Sequence, residues 1–298
     1  MKSVTIIGAN SYIARNLIQN VKNEALDIRL FLYDREDVHK DGCNDYAPVN
    51  ILDESSVAGI NFDVDAVILF AGKTGTYAGF DNYETYVKIN EIGLLNLLDA
   101  IRHSVYRPKV VFPSTRLVYR GIDKSLAEDD EKETKTLYAI NKLACEGILY
   151  AYKQSFDIPY TIFRICIPYG NLLSTDYSFG TVGFFIKQAK AGKDITLYGG
   201  GNIKRTFTHI EDLCYQIVLA SMKDESNGEI YNVGGQTLSL REAAEIIARK
   251  YGTNVMAVEW SERDLRIESE HTYFDDTKIR TLLNCKDFKQ LEDFSRDI

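Results

Sequence analysis

Short apolar runs alternate with longer amphipathic stretches through the first half of the chain. Residues 4–7, 29–33, 64–70, 109–112 and 160–165 read as strands. Residues 13–21, 83–103 and 137–154 carry apolar positions at helical spacing and read as helices. Apolar strands separated by helices of this length predict an α/β fold: a Rossmann-like doubly wound parallel sheet with both faces covered.

After Pro168 the pattern changes. Gly, Ser, Thr and Tyr become frequent over 169–183, and Gly199-Gly200-Gly201-Asn202 marks a turn. Helical periodicity returns at 211–222 and 240–251, with a short strand at 229–233 between them. These features predict a smaller α/β lobe on the C-terminal side, over the strand edge where such sheets bind ligands. The expected division is 1–167 for the nucleotide-binding domain and 168–298 for the lobe, with segments around 204–235 returning to the main domain. The acidic run 128–133 reads as a solvated loop or the approach to a helix, with no need of a partner.

Composition narrows the function classes. The 298 residues are 45% hydrophobic and 26% charged, as in ordinary globular proteins. Lys and Arg total 35 against 43 Asp and Glu, a formal charge of -8. That balance argues against a nucleic-acid partner or a membrane-surface patch. A strand pattern begins at Ser3 with no signal-peptide signature, and no apolar run is long enough to cross a bilayer. Five scattered cysteines and four scattered histidines suggest neither a disulfide framework nor a metal site, and Cys145 and Cys166 read as buried small hydrophobes. A cytoplasmic location is expected.

Candidate chemistry starts at Gly8-Ala9-Asn10-Ser11-Tyr12-Ile13-Ala14, between a predicted strand and helix. Gly8 permits a tight turn, Ala14 permits close helix–sheet packing, and the helix N-terminus can receive a pyrophosphate. Ser11 stands where a glycine is expected. Asp34 ends the second strand, where a carboxylate accepts from an adenosine ribose and repels a 2′-phosphate; it favours NAD over NADP, and Arg35 softens that preference. Asn50 and Ile51 are candidates to border the adenine. Tyr138 and Lys142 lie four apart on one helical face, so the ammonium can favour the phenolate. Ser114 and Thr115 end an apolar strand and can deliver a hydroxyl to that pair.

Taken in order, these motifs resemble the extended short-chain dehydrogenases/reductases, particularly the NAD-dependent nucleotide-sugar epimerase/dehydratase family. The resemblance extends over nearly the whole chain. It includes Phe70-Ala71-Gly72 followed by Lys73, Asn90-Glu91-Ile92-Gly93 with Asn96, and Ser114-Thr115 with Val118-Tyr119. It continues through Tyr138 to Lys142, Arg164-Ile165 with Pro168-Tyr169-Gly170, Arg205-Thr206-Phe207-Thr208-His209, and Tyr231-Asn232-Val233-Gly234. The resemblance implies that Thr115 and Tyr138 are catalytic hydroxyls and that Lys142 binds the nicotinamide ribose. It implies that Asn90, Ser114 and Ile165 belong to the cofactor site. Arg205 matches an arginine that meets the substrate diphosphate, with Arg263 or Arg266 as a second phosphate contact.

Departures from the family pattern narrow the reaction. Where a sugar 4,6-dehydratase carries Asp-Glu after the threonine, this chain has Arg116-Leu117, and leucine transfers no proton. Ile167 replaces an asparagine that touches the sugar-phosphate portion in many relatives, and Arg120 delays a glycine. The leading expectation is a C4 epimerase of a nucleoside-diphosphate hexose using NAD. A 4-keto-6-deoxy sugar reductase using NADH or NADPH and a non-catalytic NAD-binding scaffold are the alternatives. Substrate choice is expected to rest on loops 74–86, 169–205 and 255–272. The apolar faces of helices 83–103 and 137–154 suggest a homodimer.

Overall fold

The strand β1 (Lys2–Ile7) lies inside a seven-stranded parallel sheet. Its other members are β2 (Ile28–Asp34), β3 (Tyr46–Pro48), β4 (Ala66–Leu69), β5 (Lys109–Thr115), β6 (Tyr160–Ile165) and β7 (Glu229–Asn232). The order across the sheet is β7-β6-β5-β4-β1-β2-β3. This computed structural model describes residues 1–173, 177, 179–285 and 287–298; Ser174, Thr175, Asp176 and Ser178, within the 169–205 segment, lie outside the described residues. Chain order reverses between β1 and β4, which opens a crevice above their carboxyl ends.

All four residues of β4 and all six of β6 are buried, as two covered faces require. On one face, Leu17, Ile18 and Val21 of α1 (Tyr12–Asn23) join Leu213 and Ile217 of helix Ile210–Ser221 in one apolar cluster. On the other, Leu94, Leu97 and Leu98 meet Cys145 and Leu149 beneath helices Gly93–His103 and Leu137–Phe156. The predicted doubly wound sheet is therefore present.

Two local features differ from the sequence pattern. The strand β3 escapes it because three residues ending in Pro48 carry little periodic signal; as an edge strand it tolerates a residue without an N–H. The predicted helix 83–103 is not uniformly α. It runs as Tyr83–Val87, a π-helical turn Lys88–Ile92, and then Gly93–His103. Gly93 lies against Ile51, whose Cδ1 would be 2.5 Å from any Cβ there.

The C-terminal lobe has its own core of Phe185, Ile186, Leu197, Phe207 and Ile247. Strands Ile167–Tyr169, Lys204–His209 and Gln236–Ser239 form a small mixed sheet, and Ile195–Tyr198 pairs with Val255–Val258. Helix Leu240–Tyr251 starts in a Ser239/Glu242 capping box and stops at left-handed Gly252. Strand β7 pairs with β6 at the edge of the main sheet, so the chain crosses back after entering the lobe.

The acidic run is not a purely solvated loop. Glu128 Oε1 accepts the Asn232 N–H at 2.8 Å, and Asp130 accepts from the Ala127 N–H and from Lys124. Cys145 is fully buried, and half-buried Cys166 packs against two apolar clusters, with its Sγ 3.4 Å from the Thr272 carbonyl. Among the described residues no helix is long and apolar enough to cross a membrane.

Candidate active site

A cleft of about 310 Å³ opens at the β1/β4 crevice. Gly8 turns there with φ +89°, and a Cβ on it would stand 2.3 Å from the Ala71 nitrogen. Only glycine lets the two strand ends approach this closely. The N–H groups of Gly8 and Ala9 both donate to the Tyr33 carbonyl, which fixes the turn. Ser11 is the N-cap of α1, with its hydroxyl accepting from the Ala14 N–H, so it serves the helix where a glycine was expected. The N-terminus of α1, which follows this turn, is a place where an anion can be received.

Gly8, Asn10, Ser11, Asp34, Arg35, Asn50, Ile51, Phe70, Ala71, Gly72 and Lys73 all line this cleft. Asp34 accepts from the backbone N–H of Asn10 and of Arg35 at 2.9 and 2.8 Å, which orients its carboxylate. The Asn10 side chain is otherwise engaged: its amide donates to Glu36 and the Val38 carbonyl and accepts from the Lys40 N–H. Ile7, Glu36, Lys40, Val49, Leu52 and Ile89 complete the lining and were missed. The short strand β3 that carries the chain to Val49 gave no clear signal.

Asn90 sits in the π-helical turn and grips Lys73 twice. Its Oδ1 accepts the Lys73 N–H at 2.7 Å and its Nδ2 donates to the Lys73 carbonyl at 3.1 Å. It builds the cleft wall. Cys145 Sγ reaches the Asn90 carbonyl, tying helix Leu137–Phe156 to the same wall.

That helix brings the hydroxyl and ammonium groups together. Thr136 caps it through the Ala139 N–H, and Tyr138 and Lys142 follow one turn apart. Burial pushes the Tyr138 phenol well above its ordinary range, opposed by the nearby Thr115 hydroxyl at the end of β5. Lys142 donates to the Pro113 carbonyl at 2.7 Å, with its ammonium 5.9 Å from the Tyr138 ring centre. Burial pushes it down to about 8, opposed by Cys145 and Glu146.

Other anticipated residues face elsewhere. The Tyr12 ring stacks on Phe179 at 4.1 Å and its hydroxyl donates to the Gly170 carbonyl. Ile13 and Ile165 pack with the core on the α1 face, and Ile167 belongs to the lobe core. Ser114 donates to buried Glu146. Arg205 is buried rather than presented to an open pocket. Its guanidinium donates to the carbonyls of Lys204, Ser269 and Glu270 and pairs with Glu268 at 2.7 Å. Burial and the neighbouring Arg116 push it down to about 9. Arg116 itself donates to Thr272 Oγ1 at 2.9 Å. Arg263 lies over the Tyr77 ring at 4.5 Å, and exposed Arg266 pairs with Glu262 at 3.5 Å. Among the described residues no group of three His, Cys, Asp or Glu side chains could hold a metal ion.

A glycine-turned crevice with a helix N-terminus, joined to a Thr–Tyr–Lys cluster, defines a Rossmann-type dinucleotide enzyme. Residues 4–234 match the NAD dependent epimerase/dehydratase family, and the chain belongs to it. A UDP-glucuronate 4-epimerase of Thermodesulfobacterium geofontis is 28% identical over 269 residues, covering 88% of this chain and 80% of that protein. The fold also matches solved structures. Thermus thermophilus UDP-glucose 4-epimerase in complex with NAD aligns with a TM-score of 0.83 at 21% identity, covering 99% of both chains. A double mutant of the dTDP-glucose 4,6-dehydratase DesIV of Streptomyces venezuelae aligns with a TM-score of 0.85 at 23% identity, covering 98% of this chain and 94% of that one. Family enzymes modify nucleoside-diphosphate sugars, and an epimerase and a dehydratase share the architecture equally.

Proposed function

We propose that the protein is an NAD-dependent epimerase acting at C4 of a nucleoside-diphosphate hexose. The observation that carries this reading is the meeting of Thr115, Tyr138 and Lys142 beside a wall of the dinucleotide cleft. The cleft fits the cofactor: Gly8 leaves a cradle that a Cβ would fill, and the α1 N-terminus offers N–H groups for a pyrophosphate. Asp34 and Glu36 on the rim disfavour a 2′-phosphate, and so favour NAD.

When bound, NAD supplies reversible hydride acceptance. The chain supplies orientation and proton management. Tyr138 takes the C4 hydroxyl proton, with Thr115 holding the reacting oxygen and the Lys142 cation favouring the phenolate. Rotation of the transient 4-keto sugar then exposes its other face, and Tyr138 returns the proton as the alcohol re-forms. Arg116 and Leu117 carry no carboxyl group for loss of water, which argues against dehydration. The relatives named as 4-epimerases support the same direction.

Turnover of a panel of nucleotide sugars, followed by product mass and proton NMR, tests the reading. An isomer of unchanged mass formed without added reductant is expected, and Thr115→Ala and Tyr138→Phe should each abolish it while bound NAD is kept. A product two mass units heavier that requires NADH would replace epimerisation by ketone reduction. Tight sugar-nucleotide binding without any turnover would leave a binding protein.

A homodimer belongs to the same proposal. Tyr83, Val87 and Ile92 are exposed on one long helical segment, and Ile140 and Tyr150 on the other. Such apolar groups suit a helix-to-helix interface. A sedimentation mass of one chain at micromolar concentration would refute it.

A further inference from the structure

The helix that carries Tyr138 and Lys142 places a third polar residue one turn further on. Tyr138, Lys142 and Glu146 form a column at i, i+4 and i+8. Glu146 is buried and held from two strands at once. Arg164 of β6 grips it bidentately, Nε to Oε1 at 3.0 Å and Nη2 to Oε2 at 2.6 Å. Ser114 of β5 donates to Oε1 at 2.5 Å. Ser114 and Arg164 are register partners in the sheet, so both meet the carboxylate from neighbouring positions. The next residue after Ser114 is Thr115.

We propose that Glu146 is a positioning residue: clamped by Arg164, its bond to Ser114 fixes the adjoining Thr115 hydroxyl against the Tyr138–Lys142 column. The proposal rests on the catalytic reading above. The clamp is itself anchored. Arg164 Nη1 also donates to the Tyr119 hydroxyl and the Glu128 carbonyl, each at 2.7 Å, and Tyr119 donates to Asn232. The network therefore ties the catalytic helix to β5, β6, β7 and the 116–133 connection. A bidentate pair with a third hydrogen bond from Ser114 leaves the carboxylate little freedom.

Glu146 also sets the charge near Lys142. The groups facing this region are Glu146, Cys145 and Tyr138 on its own helix, Arg164 on β6, Lys132 and Tyr119 on the connection, and Glu91, bonded to Asn141, on the π-helical turn. Loss of the Glu146 charge would remove one of the two neighbours, with Cys145, that favour the Lys142 ammonium, and so disfavour it.

The test uses the NAD-loaded wild type with Ser114→Ala, Ser114→Thr and Glu146→Gln, assayed with the nucleotide sugar it converts. Ser114→Ala removes one hydroxyl and leaves the ion pair intact, so it reports even where Glu146→Gln folds poorly. It should lower kcat by about ten- to a hundredfold, the usual result of a small misplacement. KM and bound NAD should stay within about twofold, and Ser114→Thr should restore most of kcat. Folded Glu146→Gln should shift the alkaline limb of the kcat profile to lower pH. Wild-type kcat in Ser114→Ala, or a loss confined to melting temperature, would overturn the proposal while the epimerase reading stands. A wild type silent on every nucleotide sugar would overturn that reading, and with it the reaction the clamp is proposed to serve.

Discussion

The region around the β1/β4 crevice and the C-terminal lobe around Arg205 use their polar residues in opposite ways. Around the β1/β4 crevice the chain leaves a cleft, with Asp34, Lys73 and the α1 N-terminus on its walls. Around Arg205 it fills the space with its own backbone. Residues 268–270 occupy the guanidinium, and Gly121 lies so close to the backbone of Glu270 that a Cβ would stand 2.7 Å from its nitrogen. The first region is shaped to wait for a ligand, while the second uses its buried arginine to hold a strap in place.

That contrast predicts its largest effect at Arg205. Replacing Arg205 by Met strands the Glu268 carboxylate and three carbonyls, and should cost about 3–5 kcal/mol in stability. Residual folded protein should still bind NAD, because no cleft-lining residue depends on this cation. Equilibrium urea unfolding and NAD titration check the two halves separately. If Arg205→Met is stable but cannot bind the sugar nucleotide, the strap must give way in solution and the contrast dissolves.

The same contrast explains what could be read from the sequence. Gly8, Ser11, Asp34 and the Tyr138/Lys142 pair are set by strand–turn–helix signals within a few residues, and their places in the fold were legible from local spacing. The parallel sheet was legible for the same reason. Arg205 was read by motif as a phosphate ligand. Its partners lie 63 to 65 residues away and carry no local signal. Ser114 was assigned to the cofactor, yet its hydroxyl meets a carboxylate 32 residues on. Short elements such as β3 and the π-helical turn that aims Asn90 depend on packing, and periodicity cannot report them.

At the junction of the two regions, acid should act through His209. Its Nδ1 accepts the Glu211 N–H at the start of helix Ile210–Ser221, while the ring is buried against Gly170. Burial, with help from Lys289, lowers its pKa from 6.5 to about 4. The unfolded chain therefore takes up the proton first. The neutral imidazole's contribution is complete above pH 6.5 and disappears as pH falls toward 4, an effect of about 3 kcal/mol at most. Denaturation midpoints of wild type and His209→Gln across pH 4–7 measure it; equal slopes in both would assign the acid sensitivity to other groups.

The smallest predicted effect is at Ser11, where the fingerprint departs from glycine. If the hydroxyl serves as a cap, Ser11→Ala should lower stability by about 1 kcal/mol and Ser11→Gly by only a few tenths. Both should keep NAD affinity within about threefold, because the backbone N–H groups of the turn are unchanged. Thermal unfolding and dinucleotide titration of the pair give the answer together. A marked gain in affinity for Ser11→Gly would mean that the hydroxyl obstructs the cradle. The serine would then trade cofactor binding for helix stability, and the crevice region would also be spending a polar group on itself.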